Sequence, residues 1–415
     1  MKNFVTKKYI KIALVLVFCI CVPFILAGCV SMPTGIYIEN YPTKIVYQKN
    51  ERVDYSGLTI KTINTDGTHR KVYFNQNEFP DVDTSTSGVK KVTVLKNGFN
   101  ASFNFYVADV VVNDSDNLKQ IFASLQDGDV VYMRAGDYSP QSENDQSYKD
   151  VEITKSITLV GDGMSKTKFY GNFLIGATVT QNGFEKIENF KDVTIRDIGF
   201  KLDYQQKDGL IYYDGPYGNT DTNGAIRFFD TKNLTILKCS FDNYAYGIYG
   251  DSADGLSLTK NKFTNIFKSA IYTKVDTKNT LISKNIFVDT AQNFVSFVGN
   301  EQESLGAIII SFANEGLKGV NICKNTINRT GFHRGEVAYY DQNSKDMAQN
   351  TNQKLFELTY INNTGCIIFR SSGEKNLVVG NVVLSANNIG QALANIKFGT
   401  NSQDNVNASG ITILE

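Results

Sequence analysis

The chain has 415 residues with 42 basic and 42 acidic side chains, so its formal net charge at pH 7 is zero. This balance provides no electrostatic reason to bind nucleic acid, and no basic stripe is visible along the sequence. Only two histidines, His69 and His333, and no CxxC pair occur, which argues against a histidine-based zinc site and a Ser-His-Asp triad. The length allows two or three domains.

The N-terminus has the pattern of an export signal. Four lysines within the first 11 residues precede an apolar run over 12–25, which is too short to span a bilayer comfortably. The run ends in Leu26-Ala27-Gly28-Cys29, which resembles the bacterial lipobox. That resemblance implies that residues 1–28 are removed and that Cys29 is lipidated, with 29–35 as a tether. The mature protein is then extracytoplasmic and membrane-anchored. An ordinary signal peptide or an anchor helix are the alternatives.

Residues 36–108 alternate apolar and polar side chains in short runs separated by turn dipeptides. Asp66-Gly67 and Asn97-Gly98 are examples of these turns. Several strands without a helical period predict a β-sandwich. The segment Tyr55-Ser56-Gly57-Leu58-Thr59-Ile60 and the turns around it resemble bacterial immunoglobulin-like repeats of surface proteins. The resemblance implies a spacer, or a weak binder of a glycan or another partner.

Residues 113–415 begin with a short amphipathic helix around Leu118 to Leu125 and then repeat. The first recurring unit, apolar-x-Ile-x-Lys-Asn-x-Phe, occurs over 256–263, 280–287 and 320–327. The second unit is a small residue followed by isoleucine. A period of about 22 to 24 residues with longer insertions predicts a parallel β-helix. The all-β chain is therefore expected to be a sandwich followed by a solenoid with a capping helix.

The repeats also place individual side chains. Asn261, Asn285 and Asn325 share one phase and are expected to form an internal ladder, with Cys239 at the same phase. Cys239 and Cys366 are interpreted as buried structural thiols. The helix and the coils together resemble the right-handed parallel β-helix of the pectate-lyase-like superfamily. That fold includes lyases, hydrolases, epimerases and non-catalytic adhesins, and no catalytic signature of the family is present.

Strand alternation predicts a candidate groove on one sheet of the β-helix. If the isoleucines of the second unit point inward, their neighbours point outward and form an exposed face that could bind sugars and carboxylates. The candidate groove residues are Arg227, Tyr249, Asp251, Tyr272, Lys274 and Arg370. Long insertions at 201–223, 288–305 and 328–364 precede strands of this sheet and are expected to form its walls.

The first insertion contains three candidate loop carboxylates, Asp203, Asp214 and Asp221. Ca²⁺ prefers several oxygen ligands, so these side chains are a possible calcium site. The order of an EF-hand is absent, and solvated loop carboxylates are the alternative. No other cofactor is predicted.

The sequence thus predicts a membrane-anchored surface lipoprotein whose β-helix binds, or binds and cleaves, a polysaccharide or surface glycan. In a lyase, Arg227 would neutralise a uronate, with Lys274 or Arg370 as the base. In a hydrolase, Asp251 and Asp214 would flank the scissile bond. A non-catalytic adhesin or a structural surface protein remains the alternative.

Overall fold

The structure is a computed structural model that describes most of the chain between residues 31 and 330 and parts of the remainder. The described residues are 31–75, 78–140, 148–202, 205–207, 210–212, 224–266, 268–274, 277–291, 297–298, 301–302, 306–312, 318–330, 365–371, 382–385, 388–389, 396–398 and 411–414. Cys29 and the signal segment 1–28 lie outside them. The chain divides into two compact units, Met1–Val107 and Ala108–Glu415. Within the described ranges, no helix is both long enough and apolar enough to span a bilayer.

The first unit contains two three-stranded sheets around one apolar core. One sheet has the antiparallel strands Pro33–Asn40, Thr59–Asn64 and Lys71–Val72. The other has Val46–Tyr47, Phe99–Val107 and Gly88–Lys96. Asn97 and Gly98 both have positive φ, of 52° and 83°, and close the last hairpin as their sequence predicts. Core residues come from both sheets: Tyr47, Ile60, Val92, Val94, Phe103 and Phe105.

The second unit is a solenoid of three parallel sheets, which confirms the predicted all-β, β-helix-like fold. Its handedness stays a prediction. Sheet A contains Val151–Ile153, Phe173–Ile175, Gly224–Phe228, Tyr246–Gly250, Ser269–Thr273, Gly306–Phe312, Gly365–Ser371 and Ile396–Phe398. Sheet B contains Val110–Val112, Val130–Met133, Thr158–Gly161, Lys191–Arg196, Thr231–Leu237, Ser257–Thr259, Leu281–Ser283, Asn321–Cys323, Val382–Ser385 and Ile411–Leu414, with Ala253–Asp254 and Thr277–Lys278 beside it. Sheet C contains Gly136–Tyr138, Thr167–Phe169, Gly199–Lys201, Ser240–Asp242, Lys262–Thr264, Ile286–Thr290, Thr326–Thr330 and Asn388–Ile389.

Smaller elements are added to these coils. The described residues include three antiparallel hairpins: Ala177–Thr180 with Gly183–Lys186, Gln205–Lys207 with Leu210–Tyr212, and Phe297–Val298 with Glu301–Gln302. The predicted helix is Leu118–Ser124, and the side chain of its N-cap, Asn117, accepts a hydrogen bond from the backbone N–H of Gln120. Phe122 on this helix is buried and stacks on Phe173 of sheet A, with ring centroids 5.4 Å apart. The helix therefore contributes to the apolar core of the solenoid.

A column of stacked phenylalanines explains both recurring sequence units. Phe200, Phe241, Phe263 and Phe287 occupy equivalent positions in sheet C, and successive rings lie 5.0, 4.8 and 4.9 Å apart and nearly parallel. The small residue of the second unit faces this column. A Cβ atom added to Gly247 would lie 2.7 Å from the ring of Phe263, so the position accepts only small side chains.

The predicted asparagine ladder is also present. The side-chain oxygen of Asn261 accepts from the backbone N–H of Cys239 at 2.9 Å, and that of Asn285 accepts from Asn261 at 2.9 Å. All three asparagines are at most 1% exposed. Each also donates its side-chain N–H to a backbone carbonyl of sheet B in the preceding coil: Asn261 to Ile236, Asn285 to Leu258 and Asn325 to Ile282. The ladder therefore satisfies polar groups that the turn between sheets B and C would otherwise leave buried and unpaired.

The coils bring together lysines that are far apart in the sequence, so the expectation that the chain has no basic stripe is wrong. One column at the edge of sheet B contains Lys191, Lys232, Lys278 and Lys318, with Asp254 between Lys232 and Lys278. A second column, at the turn from sheet B to sheet C, contains Lys238, Lys260, Lys284 and Lys324. We call these the two lysine columns. Successive members lie one or two coils apart, so they are neighbours in space but not in the sequence.

Candidate functional site

The register of sheet A agrees with the predicted phase. Ile226, Ile248, Ile271, Ile308 and Ile367 pair side by side in successive strands and belong to the apolar core. Their neighbours Arg227, Tyr249 and Tyr272 therefore lie on the outer face of the sheet. These three side chains are buried, however, with exposures of 8%, 6% and 9%. The expectation of an exposed face is wrong at these positions, because strand alternation predicts the side of the sheet but not what covers it.

The tyrosines of this face pack against one another. Tyr246, Tyr249 and Tyr272, together with Ala245 and Ile309, form a second apolar cluster outside the main core, which we call the tyrosine cluster. The ring centroids of Tyr246 and Tyr249 lie 4.7 Å apart, and those of Tyr249 and Tyr272 lie 5.4 Å apart. Much of their ring surface is therefore used for packing within the protein.

Arg227 lies in an aromatic and acidic environment beside this cluster. Its guanidinium carbon is 4.3 Å from the ring centroid of Phe184 and 5.8 Å from that of Phe229, which are cation–π distances. A terminal nitrogen lies 3.9 Å from a carboxylate oxygen of Asp150. Burial lowers the pKa of Arg227 from its ordinary value, against the attraction of Asp150, Tyr249 and Asp251. Its Nε is buried and has no hydrogen-bond partner among the described residues. Arg227 is thus enclosed and cannot readily neutralise a polymeric uronate.

The wall beside Arg227 is a hairpin that the sequence analysis missed. The strands Ala177–Thr180 and Gly183–Lys186 are joined by a two-residue loop, Gln181-Asn182. The backbone N–H of Val179 donates to the carboxylate of Glu152 on sheet A at 2.8 Å, which fixes the hairpin against the outer face. The Asn182-Gly183 dipeptide, flanked by alternating residues, is the signal that could have identified it.

The hairpin ends in Lys186, which connects two carboxylates at the edge of sheet A. Its Nζ lies 2.9 Å from Asp230 and 3.1 Å from Asp251, residues that follow successive strands of the sheet. Ser252 also donates a hydrogen bond to Asp230. We call Lys186, Asp230 and Asp251 the ionic rim. Of the six predicted groove residues, Asp251 belongs to this rim.

The contacts within the rim shift the pKa values of Lys186 and Asp230 in favour of their charged forms. Burial acts to raise the pKa of Asp230, but hydrogen bonds from Ser252 and Lys186 outweigh it and lower that pKa. Burial likewise acts to lower the pKa of Lys186, but its bonds to Asp230 and Asp251 raise that pKa overall. Lys186 is therefore a poor proton acceptor, and Asp230 is a poor proton donor at neutral pH.

Lys274 extends this line of charge into the next coil. Its backbone N–H donates to the carbonyl of Gly250, and its Nζ lies 4.7 Å from the ring centroid of Tyr249. This is the distance of a cation–π contact. Lys274 is thus suited to holding an anionic or hydroxyl-bearing ligand at the rim.

The remaining predicted positions cannot be placed in the site. Arg370 lies on the strand Gly365–Ser371, in register with Ser311, but its side chain is outside the described residues. Asp203, Asp214 and Asp221 also lie outside the described residues, and so does most of each predicted insertion. In the part of the chain that is described, no group of three or more His, Cys, Asp or Glu side chains could hold a metal ion.

Two cysteines of the solenoid have described side chains, Cys239 and Cys323, whereas the side chain of Cys366 lies outside the described residues. Cys239 is fully buried, and burial raises the pKa of its thiol to about 12. Its Sγ lies 3.6 Å from the carbonyl oxygen of Leu237. Cys239 is therefore the buried structural thiol that the repeat predicts. Cys323 is partly exposed and donates to the hydroxyl of Ser283 at 3.3 Å.

The first unit has an open depression of its own, with a volume of about 500 Å³. Its aromatic lining is already packed, because the rings of Tyr55 and Phe79 stack at 4.4 Å and the Tyr55 hydroxyl donates to Pro80 at 2.6 Å. Burial raises the pKa of Tyr55 to about 12. These contacts stabilise the loop around Pro80, and the ionic rim remains the better candidate for a binding site.

No protein-family model and no curated protein matches this chain. Among solved structures it is similar to the catalytic domain of a GH87 α-1,3-glucanase in complex with nigerose, with 12% identity over 94% of this chain and 86% of that chain and a TM-score of 0.34. It is also similar to Geobacillus virus E2 ORF18, with 14% identity over 76% of this chain and 67% of that chain and a TM-score of 0.30. The A-module of Azotobacter vinelandii mannuronan C-5 epimerase AlgE6 has 12% identity over 68% of this chain and 90% of that chain, with a TM-score of 0.13. Likenesses at these TM-scores carry no information about the chemistry of the site.

Proposed function

We propose that this protein is an exported, lipid-anchored surface protein whose β-helix binds a polysaccharide along the outer edge of sheet A. The observation that carries the proposal is the ionic rim, in which Lys186 connects Asp230 and Asp251 from successive coils while Lys274 follows in the next. Such a line of fixed charges runs along the solenoid axis and offers repeated hydrogen-bond donors and acceptors to a linear polymer of hydroxyl-bearing units.

Binding without cleavage fits the rim better than a lyase or a hydrolase does. The lyase mechanism needs an accessible cation for the uronate, whereas Arg227 is enclosed between Phe184 and Asp150. It also needs a base that can reach the substrate, whereas the Nζ of Lys274 is engaged with the Tyr249 ring, 4.7 Å from its centroid. The hydrolase mechanism needs a carboxylic acid that can give its proton to the leaving group, whereas Asp251 is paired with Lys186 at 3.1 Å.

The proposal also assigns roles to Cys29 and to the first unit. Lipidation of Cys29 would hold the mature protein on a membrane, and the first unit, as an immunoglobulin-like spacer, would raise the β-helix above that surface. Replacing Cys29 with serine is expected to abolish incorporation of a fatty-acid label and to release the protein from the membrane fraction. Retention of the label in Cys29→Ser would contradict the anchoring part alone.

The binding part is tested on a glycan array with the purified full chain. The double variant Asp251→Asn, Lys274→Gln is compared with a matched control in the first unit, Asp81→Asn, Lys49→Gln. We expect the rim variant to lose at least tenfold in affinity for the neutral glycans that the natural chain binds, while the control retains its affinity. An array without any bound neutral glycan would overturn the proposal, as would equal binding of those glycans by both variants. Release of unsaturated or reducing sugar ends from a bound glycan would replace binding with cleavage.

A further inference from the structure

The outer face of sheet B carries a concentration of positive charge that the function proposed for sheet A does not use. The two lysine columns border this face, and six of their members are exposed: Lys191, Lys232, Lys260, Lys284, Lys318 and Lys324. Lys238 and Lys278 are half-buried. The nearby carboxylates are Asp192, Asp197 and Asp254, so cations outnumber anions on this face although the whole chain has no net charge.

The second lysine column is built into the turns of the solenoid. Lys238, Lys260, Lys284 and Lys324 have φ values of 53°, 58°, 58° and 57°. Each lies just before the ladder position occupied by Cys239, Asn261, Asn285 or Asn325. Left-handed backbone at this position suits glycine or asparagine better than lysine. The local backbone therefore gives no reason for lysine. The coil before Lys238 has Asp197 at the equivalent position, with a φ of 58°, and the four coils that follow all have a cation there.

The lysines of this column are close enough to repel one another. The pKa of Lys238 is lowered by burial and by repulsion from Arg196 and Lys260, although Asp197 acts to raise it. The pKa of Lys260 is lowered by burial and by repulsion from Lys284 and Arg196. Arg196 is itself paired with Asp197 at 2.6 Å. An anion placed along the column would relieve the repulsion.

The surface between the columns is mostly polar. One outward row of sheet B contains Thr194, Thr235, Ser257, Leu281 and Asn321, of which Leu281 is 36% exposed. The next row contains Arg196, Leu237, Thr259, Ser283 and Cys323, of which Arg196 and Ser283 are buried. No aromatic side chain lies in these rows among the described residues of strands 191–196 to 321–323. Single-stranded nucleic acids are usually held by stacking of their bases on aromatic rings, so the face lacks that means of recognition.

We infer that the lysine-bordered outer face of sheet B is a second binding site, for a linear acidic polysaccharide. Adjacent coils of a solenoid are ~4.8 Å apart, which is close to the length of one pyranose unit in an extended chain. A polyuronate laid along the axis can therefore present a carboxylate to each lysine of a column, while its hydroxyls meet the threonines and serines of the face. This site is separate from the ionic rim and does not depend on the function proposed for it.

The test uses the full chain and polygalacturonate as the probe. Lys260, Lys284 and Lys324 are replaced together by asparagine, which removes three charges at positions whose backbone suits asparagine, so the variant is expected to fold. The matched control replaces the exposed lysines Lys49, Lys91 and Lys166 with asparagine. We expect the natural chain and the control to bind polygalacturonate with a Kd that increases with NaCl concentration, and the column variant to bind at least tenfold more weakly.

Further measurements distinguish this site and ligand from the alternatives. The rim variant Asp251→Asn, Lys274→Gln should bind polygalacturonate unchanged, and loss of binding there would assign the polymer to the rim instead. Neutral dextran should not bind to the face. Tighter binding to phosphatidylglycerol vesicles or to a single-stranded DNA oligonucleotide than to polygalacturonate would overturn the choice of ligand. Equal affinity of the column variant and the control would overturn the site.

Discussion

The side-chain oxygen of Asn325 accepts a hydrogen bond from the backbone N–H of Asn285 at 3.0 Å, although the two residues are 40 positions apart. The side-chain N–H of Asn285 donates to the same oxygen at 3.0 Å. An insertion in the sequence thus leaves the ladder between successive coils unbroken.

Replacing Asn285 with leucine should destabilise the solenoid by about 2 to 4 kcal/mol, because the backbone N–H of Asn261 and the carbonyl of Leu258 would then be buried without partners. Equilibrium unfolding in urea measures the change. Asn328→Ala, at an exposed position on the next strand of sheet C, serves as the control and should cost less than 1 kcal/mol. A similar cost for both variants would show that the ladder contributes little.

Replacing Cys239 with asparagine should extend the ladder by one coil and stabilise the protein by about 1 kcal/mol. The thiol lies 3.8 Å from the carbonyl oxygen of Ile195, where the new side-chain N–H would donate. Cys239→Ser, which is too short to make the same bonds, is the comparison. Thermal unfolding should give a higher Tm for the asparagine variant than for the serine variant. The reverse order would mean that the site has no room for the amide.

Replacing Lys186 with glutamine should raise the pKa of Asp230, because burial would no longer be opposed by the ammonium. The lowered pKa contributes stability at pH values above the ordinary value of 3.8, and this contribution is lost as the pH falls through the folded-state pKa. Both side chains are nearly half exposed, so the loss at neutral pH should stay within about 1 kcal/mol. NMR titration of the carboxyl carbon measures the pKa, and an unchanged value would contradict the role of Lys186.

Replacing Arg227 with methionine should preserve folding, whereas alanine should cost about 3 kcal/mol. Methionine retains contact with Phe184 and Phe229, and Asp150 still accepts a hydrogen bond from Asn172 at 2.6 Å. Urea unfolding of the two variants tests the difference, and glycan binding by Arg227→Met tests whether the guanidinium contacts ligand. Loss of binding with intact folding would place Arg227 in the site after all.

The solenoid could be predicted from the sequence because each coil needs the same kinds of side chain at equivalent positions. Phe241, Phe263 and Phe287 recur because rings stack, and Asn261 and Asn285 recur because each turn leaves the same backbone groups to be satisfied. Periodicity carries this information without any knowledge of distant contacts.

The candidate site was less predictable because its parts come from segments that do not repeat. The outward position of Tyr249 followed from alternation, but its burial depends on neighbours such as Tyr246 and Ile309. Lys186 lies on a hairpin between coils, and the repeat does not predict its contact with Asp230. The lysine columns were not predicted from the sequence because each coil contributes only one or two of their charges.

The hydrogen bonds that join the coils have a mechanical consequence. In each parallel sheet these hydrogen bonds run along the axis of the solenoid. When the ends are pulled apart along that axis, the hydrogen bonds of the terminal coil break before those of its neighbours. Such a structure yields by unzipping from an end, at low force and in steps of one coil. The stacked rings from Phe200 to Phe287 add their contacts to each step, so these central coils should be the last to peel away.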